Sequence, residues 1–345
     1  MTATAFTEYW SALAAGDAGR ATRLALDELD AGRPVLDVLE SLVAAGQSEV
    51  GRRWAVNEWN VAQEHRATSV SEEVVAAIAA RAPTGAGGAG SALLTCADGE
   101  WHALPSRLLA AALRHAGWQV TFLGASVPAD HLGPLLHEVG PDVTAISCAL
   151  PTRLIEARRS IELSRDAGVP VLVGGRGFGA DGRWARVLGA DAWAPDARSA
   201  LSVLAALPPF TSPAPPMPVS SSEISALRSR TTAIVEESVQ RMLARLPDVA
   251  AYDARQRRRT EEDVAHIVEF LGAAHFVQDV TLFTDFTAWL RDVLVARGVP
   301  AATLVAGLGV VGDVLGEQPG GFAWAADYLR AGVAVVGEPA ATPSG

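Results

Sequence analysis

The stretch that decides the fold is "SALLTCADGEWHALPSRLLAAALRHAGWQVTFLGASVP", residues 91–128. It opens with an apolar run of strand length and crosses a short polar loop. A stretch with helical spacing follows, and then a second β-rich run. The alternation continues through "VTAISCA", "VPVLVGG" and "ADAWAP". Short β-rich runs separated by helices of about ten or more residues predict a parallel sheet covered on both faces. Five such strands predict a flavodoxin- or Rossmann-like α/β domain over residues 91–207. In that strand order, ligands lie outside the carboxyl ends of the strands, at the switch point between the first and third.

Several candidate residues fall at that edge. His102 follows the first strand, Ser147 lies near the end of the third, and Gly174-Gly175 closes the fourth. Each alone is commonplace, since serine and glycine end many strands. Glu100, two residues before His102, can hold one imidazole nitrogen by hydrogen bond. That fixes the tautomer and raises the basicity of the other nitrogen, a device for orienting a metal-ligating histidine. Paired glycines admit a backbone or ligand where a Cβ would block it.

The flanking segments are helical. Residues 1–83 carry helical periodicity broken at "AAGD", "AGRP" and "AAGQ", which predicts a bundle of four or five short helices. "GAGGAG", Gly85 to Gly90, spells the dinucleotide fingerprint but precedes the strand, so it opens no helix onto a pyrophosphate and reads as a flexible linker. "PPFTSPAPPMPVSS", residues 208–221, reads as a proline- and serine-rich linker. From 222 to 345 the pattern is helix throughout. A first helix covers "SEISALRSRTTAIVEESVQRMLARL", a capping box of Thr260 and Asp263 opens the next, and later helices end near Gly298, Glu317 and Gly337. Such a set of about six helices is the size and style of a globin-like all-α domain.

Composition narrows the function. Hydrophobic residues make up 49% of the 345 and charged ones 19%, enough to bury large cores. No apolar run reaches the roughly 18 residues of a membrane span, and the N-terminus lacks the pattern of a secretory signal, so a cytoplasmic location is expected. A formal charge of −11 argues against a general grip on nucleic-acid phosphates. Every basic side chain except histidine is arginine. The absence of lysine removes Schiff-base chemistry and the phosphate-loop lysine together. Cys96 and Cys148 each end a β-like run and read as buried free thiols, with no clustered Cys/His set for zinc.

"GEWHALPSRLLAAALRHAGWQVTFLGASVP", then "ISCAL", then "VLVGGRGFG" resembles the cobalamin-binding domain in order and spacing. The resemblance implies that His102 is the lower cobalt ligand and Glu100 its partner. Ser147, Leu150, Gly174 and Gly175 would then line the slot for the cofactor's nucleotide tail. Pro105 departs from the family, which has glycine there; proline suits the first turn of a helix. "WAVNEWNVAQEH" holds Trp54, nine intervening residues, then Glu64-His65. This pattern is similar to the helical cap of light-sensing, adenosylcobalamin-binding repressors. The resemblance implies that Trp54 covers the adenosyl group and that Glu64 and His65 pack against the upper face of the cofactor. Those repressors can carry a cobalt-ligating histidine directly after the tryptophan. Here that position is Ala55, so a second histidine ligand would have to be recruited elsewhere, His65 being one candidate.

A capped cobalamin domain followed by a globin-sized helical domain resembles the photocobilins, photoreceptors that pair adenosylcobalamin with biliverdin. Neither cysteine lies in the C-terminal part, so the bilin would be noncovalent. Arg259 would meet its propionates, His266 or Asp263 the pyrrole nitrogens, with His275 and Phe286 also in the candidate pocket. His266 and His275 are nine residues apart, about 180° around a helix, and cannot serve one ligand together. The expectation is a non-enzymatic light sensor, homo-oligomeric or with a protein partner, whose assembly responds to light. The alternatives are a corrinoid methyl carrier of a methyltransferase system and a cobalamin-dependent anti-repressor or scaffold without bilin.

Overall fold

The computed structural model describes residues 3–81, 85, 87–206, 221–319 and 322–338. The chain forms two compact units, Met1–Pro215 and Pro216–Gly345. The proline- and serine-rich linker predicted at 208–221 lies outside the described residues except at Ser221, which opens a helix.

The first unit starts with helices α1 (Ala3–Ala15), α2 (Ala18–Asp30) and α3 (Val35–Val38). A π-helical stretch, Leu39–Ala44, runs directly from α3 into α4 (Ala45–Ala55), and α5 (Val61–Arg81) completes the bundle. Asp17 opens α2 by accepting from the Arg20 amide at 2.9 Å, which satisfies one of the otherwise unpaired first-turn donors. The bundle core is Tyr9, Leu13, Leu39, Leu42, Val43, Val50, Val74 and Ile78, all with almost no exposure.

The alternating segment follows the sequence expectation closely. It consists of β1 (Gly90–Cys96), α6 (Leu104–His115), β2 (Trp118–Gly124), α7 (Ala129–Val139), β3 (Val143–Ser147), α8 (Leu154–Asp166), β4 (Val171–Gly174), α9 (Arg183–Val187), β5 (Ala192–Ala194) and α10 (Ala197–Leu204). The five strands are parallel in the order β2-β1-β3-β4-β5, so the switch point falls between β1 and β3. The β1–β3–β4 register aligns Cys96 with Ser147 and Ser147 with Gly174. The three strand ends therefore lie side by side. All of β3 is buried, as a central strand covered on both faces must be.

The bundle and the sheet share apolar contacts through α6. Leu104, Ala111 and Ala112 on that helix join the bundle core, while Ala110 and Leu113 face the sheet. Exposed ion pairs from Arg198 on α10 to Asp37 and Glu40 bridge the same two layers. The glycine-rich run ahead of β1 is no dinucleotide site, because the strand and not a helix follows it. Nor is it a free spacer throughout: Gly85 donates to the Arg114 carbonyl, and a Cβ there would lie 2.6 Å from the Gly117 nitrogen.

The second unit is all α: α11 (Ser221–Arg245), α12 (Pro247–Ala250), α13 (Ala254–Val277), α14 (Val280–Ala296), α15 (Ala301–Glu317) and α16 (Ala325–Gly337). Helix α13 packs on α11, α14 and α16, while α15 packs on α11, α14 and α16. The predicted start of α13 is corrected. Its capping box is Asp253 with Gln256, seven residues before the Thr260 expected from sequence, and the Thr260 hydroxyl instead donates to the Gln256 carbonyl inside the helix. No helix among the described residues is long and apolar enough to cross a membrane.

Candidate cobalamin site

The loop after β1 is fixed from three sides before any ligand is considered. The Ala97 amide donates to the Ser147 carbonyl at 3.0 Å, tying the loop to β3. From the end of β2, the Ser126 amide donates to the Glu100 carbonyl at 2.9 Å, and the Ser126 hydroxyl accepts from the Gly99 amide at 3.0 Å. Ser126 adopts a left-handed φ of 50°, a cost that the two bonds to the loop offset.

The third tie is the Glu100 carboxylate, which is wholly buried. One oxygen accepts from the His102 amide at 2.9 Å and lies 2.6 Å from His102 Nδ1. The other accepts from the Ala149 and Leu150 amides, at 2.7 and 3.0 Å, in the segment after β3. Burial alone would raise its pKa, but the contacts with His102 and the Leu150 amide hold the carboxyl below its ordinary value. His102 is pushed up: the Glu100 hydrogen bond is the main cause, burial opposes it, and the charges of Glu100 and Glu64 add to it.

This geometry suits a histidine presented to a metal. Nδ1 is committed to Glu100, and among the described residues no hydrogen-bond partner reaches Nε2 on a side chain that is 58% exposed. The described residues gather no group of three or more His, Cys, Asp and Glu side chains fit to hold an ion. His102 can therefore give a metal one bond, as suits a metal carried within an organic ring. Pro105 sits in the first turn of α6, so the departure from glycine is absorbed by the helix start.

The bundle brings its own residues to the same place. Trp54 is half-buried in the last turn of α4, and Glu64 lies in the first turn of α5. Helix α5, which carries Glu64, packs on α6, the helix that follows the His102 loop, and the charge of Glu64 adds to the rise in the His102 pKa. His65 is mostly exposed, its Nδ1 against Glu64 Oε2. Trp101, which no motif spacing marks, is 74% exposed directly before His102. Its signal was a large aromatic in a polar loop beside a candidate ligand. Leu150, also at the rim, is 38% exposed.

At the paired glycines the close neighbour is backbone. A Cβ on Gly175, with φ of 101°, would lie 2.3 Å from the Cys148 carbonyl oxygen, and one on Gly174 would lie 3.1 Å from the Ala194 oxygen. The chain's own backbone fills the space that their lack of side chain provides. Ser147 is buried, in register with Cys96 on the neighbouring strand. Both cysteines are free and buried. Burial first, and then the Glu100 charge, push the Cys96 thiol up to about 12 and Cys148 in the same direction, so neither serves as a thiolate.

Two family models match this unit. Residues 90–205 match the B12-binding domain, and residues 5–79 match a second B12 binding domain model. This is a cobalamin-binding protein. The chain is 32% identical over 153 residues to the HTH-type transcriptional repressor CarH of Myxococcus xanthus, covering 44% of this chain and 50% of CarH. A second repressor of that organism, CarA, is 32% identical over 175 residues, with 57% of CarA covered. The chain thus spans only about half the length of these repressors. The dimethylamine corrinoid protein of Methanosarcina barkeri is 29% identical over 172 residues, covering 48% of this chain and 80% of that protein. Among solved structures, the Methanosarcina barkeri monomethylamine corrinoid protein aligns with a TM-score of 0.55 at 20% identity, covering 60% of this chain and all of that one. That likeness confirms the α/β fold.

The residues picked in the C-terminal unit are less united. Burial pushes the Asp263 carboxyl up to about 6, with the nearby charges of His266, Arg259 and Arg297 opposing and Glu262 adding. Arg259 and His266 are exposed. Phe286 is buried and stacked on Phe270, centroids 3.8 Å apart. His275, on another face of α13, stacks on Trp324 at 3.9 Å with Tyr328 edge-on, and burial lowers its pKa. A cavity of about 670 Å³ in this unit is lined by Arg291, Val295, Ala302, Val305 and Val336, none of them anticipated.

Proposed function

We propose that the chain is a light sensor that binds adenosylcobalamin between the bundle and the sheet. His102 would hold the cobalt from the sheet side, and Trp54 with Glu64 and His65 would cover the cofactor from the bundle side. The observation that carries this reading is His102 at the switch-point edge, its Nδ1 held by Glu100 and its side chain open, on a domain whose helix α6 packs into the bundle core. The similarity to CarH and CarA supports the repressor-like cap over the carrier-like one. Adenosylcobalamin, when bound, supplies a cobalt–carbon bond that light cleaves. The chain's part is to orient and to shield. Glu100 holds the Nδ1 side of His102 so that the Nε2 lone pair faces the metal. Trp54 excludes solvent from the upper face, and Glu64 offers carboxylate oxygens to donors there. Ser147, Leu150, Gly174 and Gly175 stand beside the path of the nucleotide tail.

In this reading the protein is not an enzyme. Its output is a movement of the bundle against the sheet, read by a second copy or by a protein partner, with no direct contact to nucleic acid. The C-terminal unit, of globin-like style, would hold biliverdin noncovalently beside Asp263, Arg259 and His266. Phe286 and His275, already stacked on Phe270 and Trp324, would line that site as walls.

The test is to purify the full chain with both chromophores in the dark, illuminate it and follow the absorption spectrum. A light-dependent cobalamin spectrum that Trp54→Ala alters, together with a long-wavelength bilin band, is the expected result. Failure to bind adenosylcobalamin, or photolysis indifferent to Trp54, removes the light-sensing reading. Absence of the bilin band leaves a cobalamin sensor or scaffold alone. The coverage of 80% of the dimethylamine corrinoid protein favours one second reading, a corrinoid methyl carrier. Preferential binding of methylcobalamin would decide for it.

A further inference from the structure

A polar seam crosses the otherwise apolar bundle and ends at Glu64. On α5, Glu64, Thr68 and Ser71 follow the spacing i, i+4, i+7 and share one face. On α4, Gln47 and Trp54 are seven residues apart, about two turns, and share another. The two faces meet. Gln47 Nε2 donates to Ser71 Oγ at 2.8 Å, and Thr68 Oγ1 lies 3.2 Å from Gln47 Oε1 and 3.0 Å from Glu64 Oε1. Ser71 is fully buried, and beyond it the Tyr9 hydroxyl, also fully buried, has no hydrogen bond of ordinary geometry. Val43, Val70 and Val74 are among the buried apolar residues of the same core. Polar groups in such a place are costly unless each is satisfied, so a chain of them needs a reason.

The hydrogen bonds allow two settings, of which the second gives up the long 3.5 Å bond from Gln47 Nε2 to the Ala67 carbonyl. The Thr68 hydroxyl carries one hydrogen and faces two acceptors, so it serves one at a time. In the first setting it donates to Gln47, whose amide donates to Ser71, and Glu64 Oε1 is left for a donor outside the bundle. In the second the Gln47 amide is turned over: its nitrogen donates to Thr68, Thr68 donates to Glu64, and Ser71 donates to the Gln47 oxygen. Turning an amide changes its shape hardly at all. Only the second engages Glu64, and a carboxylate oxygen accepts more than one hydrogen bond, so Glu64 can take the Thr68 hydroxyl and a donor from the cofactor side together.

We propose that Thr68 and Gln47 are positioning residues of the cobalamin site: in the second setting the Thr68 hydroxyl, itself fixed by Gln47, donates to Glu64 and holds its carboxylate toward the upper face of the bound cofactor. The inference rests on the reading of Glu64 given above. It extends the site two helical turns into the bundle and links its state to α4, the helix that carries Trp54.

The experiment titrates the full-length wild type, Thr68→Val, Thr68→Ser and Gln47→Leu in the dark with adenosylcobalamin and separately with hydroxocobalamin, which lacks the adenosyl group. Thermal melting of each variant is recorded alongside. Thr68→Val and Gln47→Leu are expected to weaken adenosylcobalamin binding roughly three- to tenfold, with hydroxocobalamin affinity unchanged. Thr68→Ser, which restores the hydroxyl, is expected to match the wild type. Equal adenosylcobalamin affinity in the variants and the wild type overturns the inference alone, as does an equal loss for both cobalamins. Should Thr68→Val fail to melt cooperatively, Gln47→Leu decides by the same comparison. Wild type that binds hydroxocobalamin but not adenosylcobalamin overturns the light-sensing reading, and this inference with it.

Discussion

Glu100 Oε1 lies 2.6 Å from His102 Nδ1, with the carboxylate fully buried and the imidazole open to the site. The other carboxylate oxygen is spent on the Ala149 and Leu150 amides, so one side chain joins the candidate metal ligand to the segment after β3. Replacing it disturbs both at once. Glu100→Gln keeps the volume but turns an NH2 group toward N–H donors. The expected cost is about 2–4 kcal/mol of stability, measured by urea denaturation. Hydroxocobalamin affinity is expected to fall roughly 10- to 100-fold as His102 loses its orientation. Unchanged affinity would show that His102 is held by its own backbone and not by Glu100.

Gly175 gives a second prediction. With φ of 101° and a would-be Cβ 2.3 Å from the Cys148 oxygen, Gly175→Ala has no flexible side chain to displace, only backbone. A loss of about 3 kcal/mol or more is expected, with cobalamin binding lost along with the fold of the β3 and β4 ends. Gly51→Ala is the matched control. It lies inside α4 with nothing near its Cβ position, and a gain of about 0.5–1 kcal/mol is expected.

What the sequence made legible follows from the reach of each interaction. The strand order follows from local alternation of β-rich and helical runs, and the Glu100–His102 pair needs only a two-residue spacing within one loop. Gly174-Gly175 was visible as a place where a Cβ is excluded, but not what excludes it; that depends on where Cys148 and Ala194 come to rest. The Gln47–Thr68 contact was invisible because it needs to be known which faces of α4 and α5 meet. Trp101 was passed over because an aromatic residue in a loop carries no spacing signal of its own.

The start of α13 shows the same limit and can be tested directly. Two polar pairs, Asp253 with Gln256 and Thr260 with Asp263, each have the three-residue spacing of a capping box, and only the first forms one. Asp253→Ala is therefore expected to cost about 1 kcal/mol in the C-terminal unit. Thr260→Ala, which removes a hydroxyl bonded back to the Gln256 carbonyl within the helix, should be neutral or slightly stabilising. The reverse ranking in urea denaturation would place the helix start at Thr260.

Asp263 itself predicts a pH dependence. Burial raises its carboxyl from 3.8 to about 6, with His266, Arg259 and Arg297 opposing and Glu262 adding. Between those values the folded chain keeps a proton that the unfolded chain has released. The folded state then binds more protons, so stability falls as pH rises through this window and is flat on either side. The gap between 3.8 and about 6 corresponds to at most about 3 kcal/mol, reduced by the partial exposure of the residue. Arg297 is pushed the complementary way: burial, then the charge of Arg259, lowers its pKa while Asp263 opposes. Removing the carboxylate charge with Asp263→Asn is expected to abolish this part of the pH slope and to leave the variant more stable than the wild type near neutrality. Urea denaturation of both proteins at about pH 4 and about pH 7 makes the comparison. A wild type whose C-terminal transition gains stability over that interval, with the variant following it in parallel, would mean that the nearby arginines hold Asp263 ionised despite its burial.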